Sequence, residues 1–296
     1  MSALRRLRDW FANPWGQPRL LGAFTWAYMV WSIVPVGIAI LFSFNNGRSR
    51  SVWQGFSTRW WWGDPYNSVL HDPTLRSAIE QSLRLAVLDM LIAVPLGVGL
   101  AIGLTRWRGY GARPVNYLML FPLVTPEIVM AVSLLLVFSL LYAIPFGTEA
   151  QTLGQVTFSI SYVVIIVRGR LLSIGPEYEE AARDLGASQI GAFRLVLLPL
   201  LWPAVFASFI VVFALSIDDF VVTDYLSSGQ STQTVPILIY SSVRGTATPA
   251  LNAVATVMVI VTLASVTLAY LVYRWSARSQ PGTTGGALNE IAALEA

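Results

Sequence analysis

The chain has 296 residues, 55% of them hydrophobic and only 12% charged, with a mean hydropathy of +0.62. Ordinary soluble domains carry about 25% charged residues, so this chain lacks the polar coat of a soluble domain and the charge of a disordered one. It also has no cysteine, which excludes a disulfide scaffold. Nineteen basic residues, all of them Arg, stand against sixteen acidic ones. The basic balance fits Arg-rich loops on one side of a membrane, and no nucleic-acid partner is expected.

A spanning helix needs about 20 mostly apolar residues. Leu20 to Phe44 is uncharged throughout, and Leu85 to Thr105 holds one charge, Asp89. Val115 to Ala143 also holds one, Glu127; this run is too long to be straight, and Pro122 and Pro126 are its expected kink points. Ala150 to Val167 is an uncharged run of 18 residues, though rich in Ser, Thr and Gln. Leu195 to Ile217 and Leu251 to Tyr273 complete a set of six spans. Gly97 and Gly99, inside the second run after Pro95, are expected to serve helix packing.

Arginine placement sets the orientation. With the N-terminus inside, segments 1–19, 106–114, 168–194 and 274–296 carry thirteen Arg, against five outside: Arg48, Arg50, Arg59, Arg76 and Arg244. Both termini are therefore expected in the cytoplasm. The expected organisation is a cytoplasmic segment 1–19, a transmembrane domain 20–278 with its main inner loop at 168–194, and a disordered cytoplasmic tail 279–296. Glu80 and Arg84, four apart on one helix face, are expected to pair. No His/Asp/Ser catalytic set and no phosphate-binding Gly-rich loop is present, and the only His is His71 in an outer loop. Neither an enzyme nor a metal site is expected.

The longest inner loop has its own local logic. Pro176 suits the first position of a helix. Glu177, Glu179 and Glu180 fill its first turn, where negative charge meets the helix dipole favourably. Gly186 can take the left-handed conformation that ends a helix, and Ser188 can cap a second one leading to Leu198-Pro199. The expected product is a compact helix-turn-helix against the membrane, with Ala181, Ala182 and Leu185 available for packing. By itself this is equally an ordinary helical hairpin.

The spacing is more specific. Glu180-Ala181-Ala182, three residues, Gly186, nine residues, Val196, one residue and Leu198-Pro199 resembles the EAA signature of binding-protein-dependent ABC importer permeases. The one departure is Val196, where the family prefers Ile. Further stretches resemble permeases of spermidine/putrescine importers: Trp53-Gln54-Gly55-Phe56 followed by Trp60, Pro126-Glu127-Ile128-Val129, Leu215 to Val222, Ile239-Tyr240-Ser241 and Pro249 to Ala253.

The resemblance implies an all-α membrane protein with the type I ABC importer permease fold, in a bacterial inner membrane. It implies a coupling helix, carried by Glu180, Ala181, Ala182, Leu185 and Gly186, that inserts into a cytoplasmic ATPase. The implied partners are an ATPase dimer, which alone holds ATP and Mg, a second homologous permease and an extracytoplasmic binding protein. The cargo implied first is a polyamine. An opine, an aminophosphonate or ferric ion, or an ion-coupled secondary transporter, stand as alternatives.

Charge at membrane depth costs several kcal/mol unless it faces a cavity or a partner. Counting about 1.5 Å per residue, Asp218 lies about 28 Å beyond Pro199, near the outer mouth, and Glu127 about 18 Å beyond Val115, near mid-membrane. A polyamine path over Glu127, Ser216, Asp218 and Asp219, with Trp60 adding a cation–π face, is one reading. Structural duties are the other: Asp219 as a cap or a partner of Arg244, Glu127 at a kink, Asp89 paired with a neighbouring span, and Trp60-Trp61-Trp62 as an interfacial belt.

Overall fold

The computed structural model describes residues 19–49, 52–106, 109, 112–243 and 249–278. Most of segment 1–19, the tail 279–296, Arg108 and Arg244 lie outside the described residues, as does any Asp219–Arg244 pairing. Among the described residues all regular structure is helical, apart from one isolated bridge between Asn45 and Phe56.

Helix α1 (Arg19–Ser43) crosses first and α2 (Pro73–Arg106) second. Short helices α3 (Ala112–Leu118) and α4 (Phe121–Val124) lead into α5 (Glu127–Leu136), which runs on as a π-helical turn to Leu141. Next come α6 (Thr148–Ile174), α7 (Glu177–Asp184) and α8 (Gln189–Ala192). A π-helical turn over Phe193–Leu197 joins α8 to α9 (Leu198–Asp218). The described residues end with α10 (Val221–Tyr225), α11 (Val235–Val243) and α12 (Ala250–Arg278). Among the described residues, five helical segments are long and apolar enough to cross a membrane, and a bent pair makes a sixth crossing if taken as one span.

That bent pair corrects the expected third span. The segments Pro114–Val124 and Glu127–Leu141 meet at 107°, a break and not a kink. Pro126 has no N–H to continue the helix and forces the residue before it out of helical geometry; Thr125 is extended at φ −70°, ψ 129°. The 18 Å depth reckoned for Glu127 along a straight helix therefore does not hold.

Two boundaries also move. Helix α6 runs through Arg168 and Arg170 to Ile174, so the loop that follows is shorter than its charges suggest; long Arg side chains reach back along the helix to polar partners. Arg168 Nη1 donates to Asn116 Oδ1 at 2.6 Å and Arg170 Nε to the Leu200 carbonyl at 3.2 Å. Helix α9 is likewise entered through α8 and its π turn, giving 30 helical residues from Gln189. Pro199, which cannot donate to residue 195, accounts for the widened turn just before it.

The core lies where α2, α6 and α9 cross. Ala93, Val94, Ala101, Val163, Val167, Leu201 and Val212 are buried there. Gly97 permits the closest α2–α6 approach: a Cβ there would lie 2.5 Å from Val163 Cβ and 3.2 Å from the Ile160 carbonyl, whereas Gly99 faces open space. Gly97→Leu is expected to destabilise the purified protein by about 1–3 kcal/mol, read as a lower melting temperature in detergent, while Gly99→Leu leaves it near the parental value. Helix α1 packs along α12 with none of its apolar stretch buried, so Phe24, Trp26 and Trp31 stay outward.

The loop before α2 is built on Trp60 and Asp64. Arg59 donates to Asp64 Oδ2 at 2.8 Å, and the N–H groups of Tyr66 and Asn67 donate to Oδ1. The Arg59 guanidinium, followed by these backbone donors, holds the Asp64 carboxyl well below the usual carboxylate range. Glu80 pairs with Arg76 at 2.8 Å and not with Arg84: both lie one turn from Glu80, and the Arg76 side wins.

Candidate functional site

Two sites stand out, one at the loop carrying the EAA spacing and one at the broken helices. In that loop, α7 starts at Glu177, with Pro176 just before its first turn. It ends as a left-handed cap: Gly186 has φ +88°, its N–H donates to the Arg183 carbonyl at 2.9 Å, and the Ala187 N–H donates to Ala182 at 3.0 Å. Ser188 then caps α8, its Oγ accepting the Gly191 N–H at 3.1 Å. No residue of α7 is buried. Ala181 and Glu180 are exposed, Ala182 is half-buried, and Leu185 is 90% exposed.

At the other site two helix breaks face each other. Helix α9 stops at Asp218; Asp219 is extended, and α10 restarts at Val221. Helix α10 packs on α5, whose first residue is Glu127. Between the breaks lies a cavity of about 580 Å³ lined by Thr125, Glu127, Phe158, Tyr162, Asp218, Asp219 and Phe220. Irregular backbone among apolar helices is tolerated where it lines a cavity, which is its position here.

The three carboxylates differ in what holds them. Asp219 is buried, and both its oxygens are engaged. Oδ1 accepts from the Val222 N–H at 3.2 Å; Oδ2 accepts from the Thr223 N–H at 3.1 Å and from Gln155 Nε2 at 3.2 Å. It is the N-terminal cap of α10. Asp218 is exposed, its side chain makes no hydrogen bond or ion pair among the described residues, and it also borders an apolar groove of about 780 Å³ between α9, α11 and α12. Glu127 is exposed at the N-terminus of α5, where the helix dipole favours its charge.

Trp60 and Ser216 do not join the cavity lining. Trp60 is 1% exposed, donates from Nε1 to the Asn45 carbonyl at 2.7 Å, and is packed among Leu75, Phe213 and Ile217. The cation near its ring is Arg59 of the same chain, 5.1 Å from the centroid. Ser216 is buried and donates to Gln155 Oε1 at 2.7 Å. Asp89 pairs across spans, its Oδ2 accepting from Ser159 at 2.7 Å.

Sequence reasoning missed Gln155. It belongs to a fully buried polar stripe on α6, Gln151, Gln155 and Ser159, each one turn from the next. Gln151 donates to the Thr223 and Thr232 carbonyls, and Gln155 to Ser216 and Asp219. The signal was legible as a period of four polar residues in an otherwise apolar run.

Comparison with known proteins agrees with this architecture. Residues 93–280 match the family model of the binding-protein-dependent transport system inner membrane component. The chain is 35% identical over 263 residues to the spermidine/putrescine transport system permease protein PotC of Escherichia coli K12, covering 89% of this chain and 97% of the relative. It is 35% identical over 252 residues to the putrescine transport system permease protein PotI of the same organism, covering 83% and 86%. A bacterial ABC transporter involved in import of the acidic polysaccharide alginate has the same fold, with a TM-score of 0.67 over 92% of this chain and 96% of that one at 17% identity. With five apolar helices and a bent pair that makes a sixth crossing if taken as one span, a capped loop carrying the EAA spacing, and a family model covering well over half its length, the chain belongs to the binding-protein-dependent ABC importer permeases and is an inner-membrane transport subunit.

Proposed function

We propose that this permease passes polyamines, spermidine or putrescine, into the cell. The observation that carries the reading is the meeting of Glu127, Asp218 and Asp219 at one cavity with aromatic walls. A polyamine brings two or more ammonium charges joined by methylene chains. Carboxylates offset the cost of taking those charges out of water, and the faces of Phe158, Tyr162 and Phe220 add cation–π and apolar contact. Asp218 and Glu127 have free oxygens for the cargo; Asp219 acts as a positioning residue that holds α10. The names of the two relatives above support the same cargo.

In this reading the permease works with a second homologous permease, an extracytoplasmic binding protein and a cytoplasmic ATPase dimer. The ATPase binds ATP and Mg and docks on α7 through Glu180, Ala181, Ala182, Leu185 and Gly186. Both termini lie in the cytoplasm, so reporter fusions after Gly109 and after Ser188 should both read as cytoplasmic; an external reading at either overturns this orientation. The cargo is tested in vesicles holding the whole importer. ATP and binding protein should together drive uptake of radiolabelled spermidine or putrescine. ATP-driven uptake of an opine, an aminophosphonate or ferric ion with no polyamine uptake overturns the cargo, and uptake driven by an ion gradient without ATP overturns the mechanism.

A further inference from the structure

We infer that the Arg106–Glu179 ion pair is the strut through which movement of α7 reaches the wall of the outer groove. The inference rests on α7 being the coupling helix. Among the described residues three ion pairs occur, and two of them, Arg59–Asp64 and Arg76–Glu80, close within one local segment. Arg106–Glu179 alone joins elements far apart in sequence. Of the three glutamates in the first turn of α7, Glu177 and Glu180 are exposed and free to face a partner. Glu179 turns toward the membrane domain, its side chain only 17% exposed.

The pair links two helix ends of opposite polarity. Arg106 is the last residue of α2, where positive charge is favoured, and Glu179 lies in the first turn of α7, where negative charge is favoured. With the Arg106 side chain still 39% exposed to solvent, the pair contributes little to stability. A mechanical role fits the geometry better, because no residue of α7 is buried against the rest of the molecule. Helix α2 is 34 residues long, about 51 Å at 1.5 Å per residue, and is braced along α6. Near its outer end Ser82 Oγ accepts the N–H of Val235 at 2.9 Å in a buried contact. Val235 opens α11 and, with Ile239 and Tyr240, lines the apolar groove that Asp218 borders. One continuous helix, with Pro95 along its length, thus holds the coupling element at its inner end and the groove wall at its outer end.

Such a path needs a direct measurement of coupling. The test uses the complete importer in vesicles and reads cargo taken up per ATP hydrolysed, with ATPase co-purification measured in parallel. Arg106→Glu and Glu179→Arg should each lower that ratio about tenfold, and the double swap R106E/E179R should restore most of it, as a double-mutant cycle requires of a direct pair. Arg106→Gln removes the charge at a site away from α7 and should lower the ratio while the ATPase still co-purifies. Parental ratios in the single variants, or a double swap no better than the worse single, overturn the strut. Gly186→Val separates the two ideas: if it leaves ATPase capture and uptake intact, α7 is not the coupling helix; if it abolishes them while Arg106→Gln changes nothing, only the strut is wrong.

Discussion

Asp218→Asn should cut polyamine uptake about tenfold or more, a loss of about 1.4 kcal/mol or more at the barrier, with no change in melting temperature. The physical basis is the contrast between neighbours. Asp218 is exposed to the cavity and has no hydrogen bond or ion pair among the described residues, so neutralising it breaks nothing in the fold. Asp219 is buried and caps α10 through Val222 and Thr223. Asp219→Ala should therefore cost about 1 kcal/mol of stability and lower melting temperature and uptake together. Asp219→Asn keeps one cap acceptor and should fall between the two. Glu127→Gln, at the far side of the same cavity, should slow uptake with the binding protein's affinity for cargo unchanged. The measurement is initial uptake rate in vesicles at matched permease content. Parental rates for Asp218→Asn and Glu127→Gln together would remove the cationic pathway and favour a neutral or anionic cargo.

Gly186→Val should abolish uptake while the protein stays in the membrane. Its φ of +88° is left-handed backbone, and no atom lies within 4 Å of a Cβ built there. The penalty is therefore one of backbone conformation, about 1–2 kcal/mol for a β-branched residue. That strain competes with the two cap bonds from Gly186 and Ala187 that end α7, so the helix loses its defined end and presents Leu185 wrongly. Gly186→Asn tolerates positive φ and should recover part of the uptake. Co-purification of the ATPase with each variant checks this directly. Normal capture and uptake by Gly186→Val would count against the coupling assignment.

How much of this was legible in the chain follows from the range of the forces involved. Span number, the loop carrying the EAA spacing, the left-handed Gly186 and the Ser188 cap are local matters. Each depends on the apolar content of a run or on the backbone preference of one or two residues; the structure agrees on Gly186 and Ser188 and gives five apolar helices, or six crossings with the bent pair taken as one. The three carboxylates were also visible, because charge inside an apolar run stands out. Their division of labour was not. Asp218 and Asp219 are adjacent and chemically identical, and only the restart of the chain at Val221 makes one a cap and leaves the other free. Trp60 looks like an open aromatic face in the sequence, but Asn45 and the Phe213–Ile217 turn close over it in space. The 107° break at Pro126 is not set by the local run alone, because α6 and α10 pack against the two broken segments. Local chemistry wrote the elements; long-range packing decided which side chains reach the cavity, because burial depends on neighbours that the chain brings together only on folding.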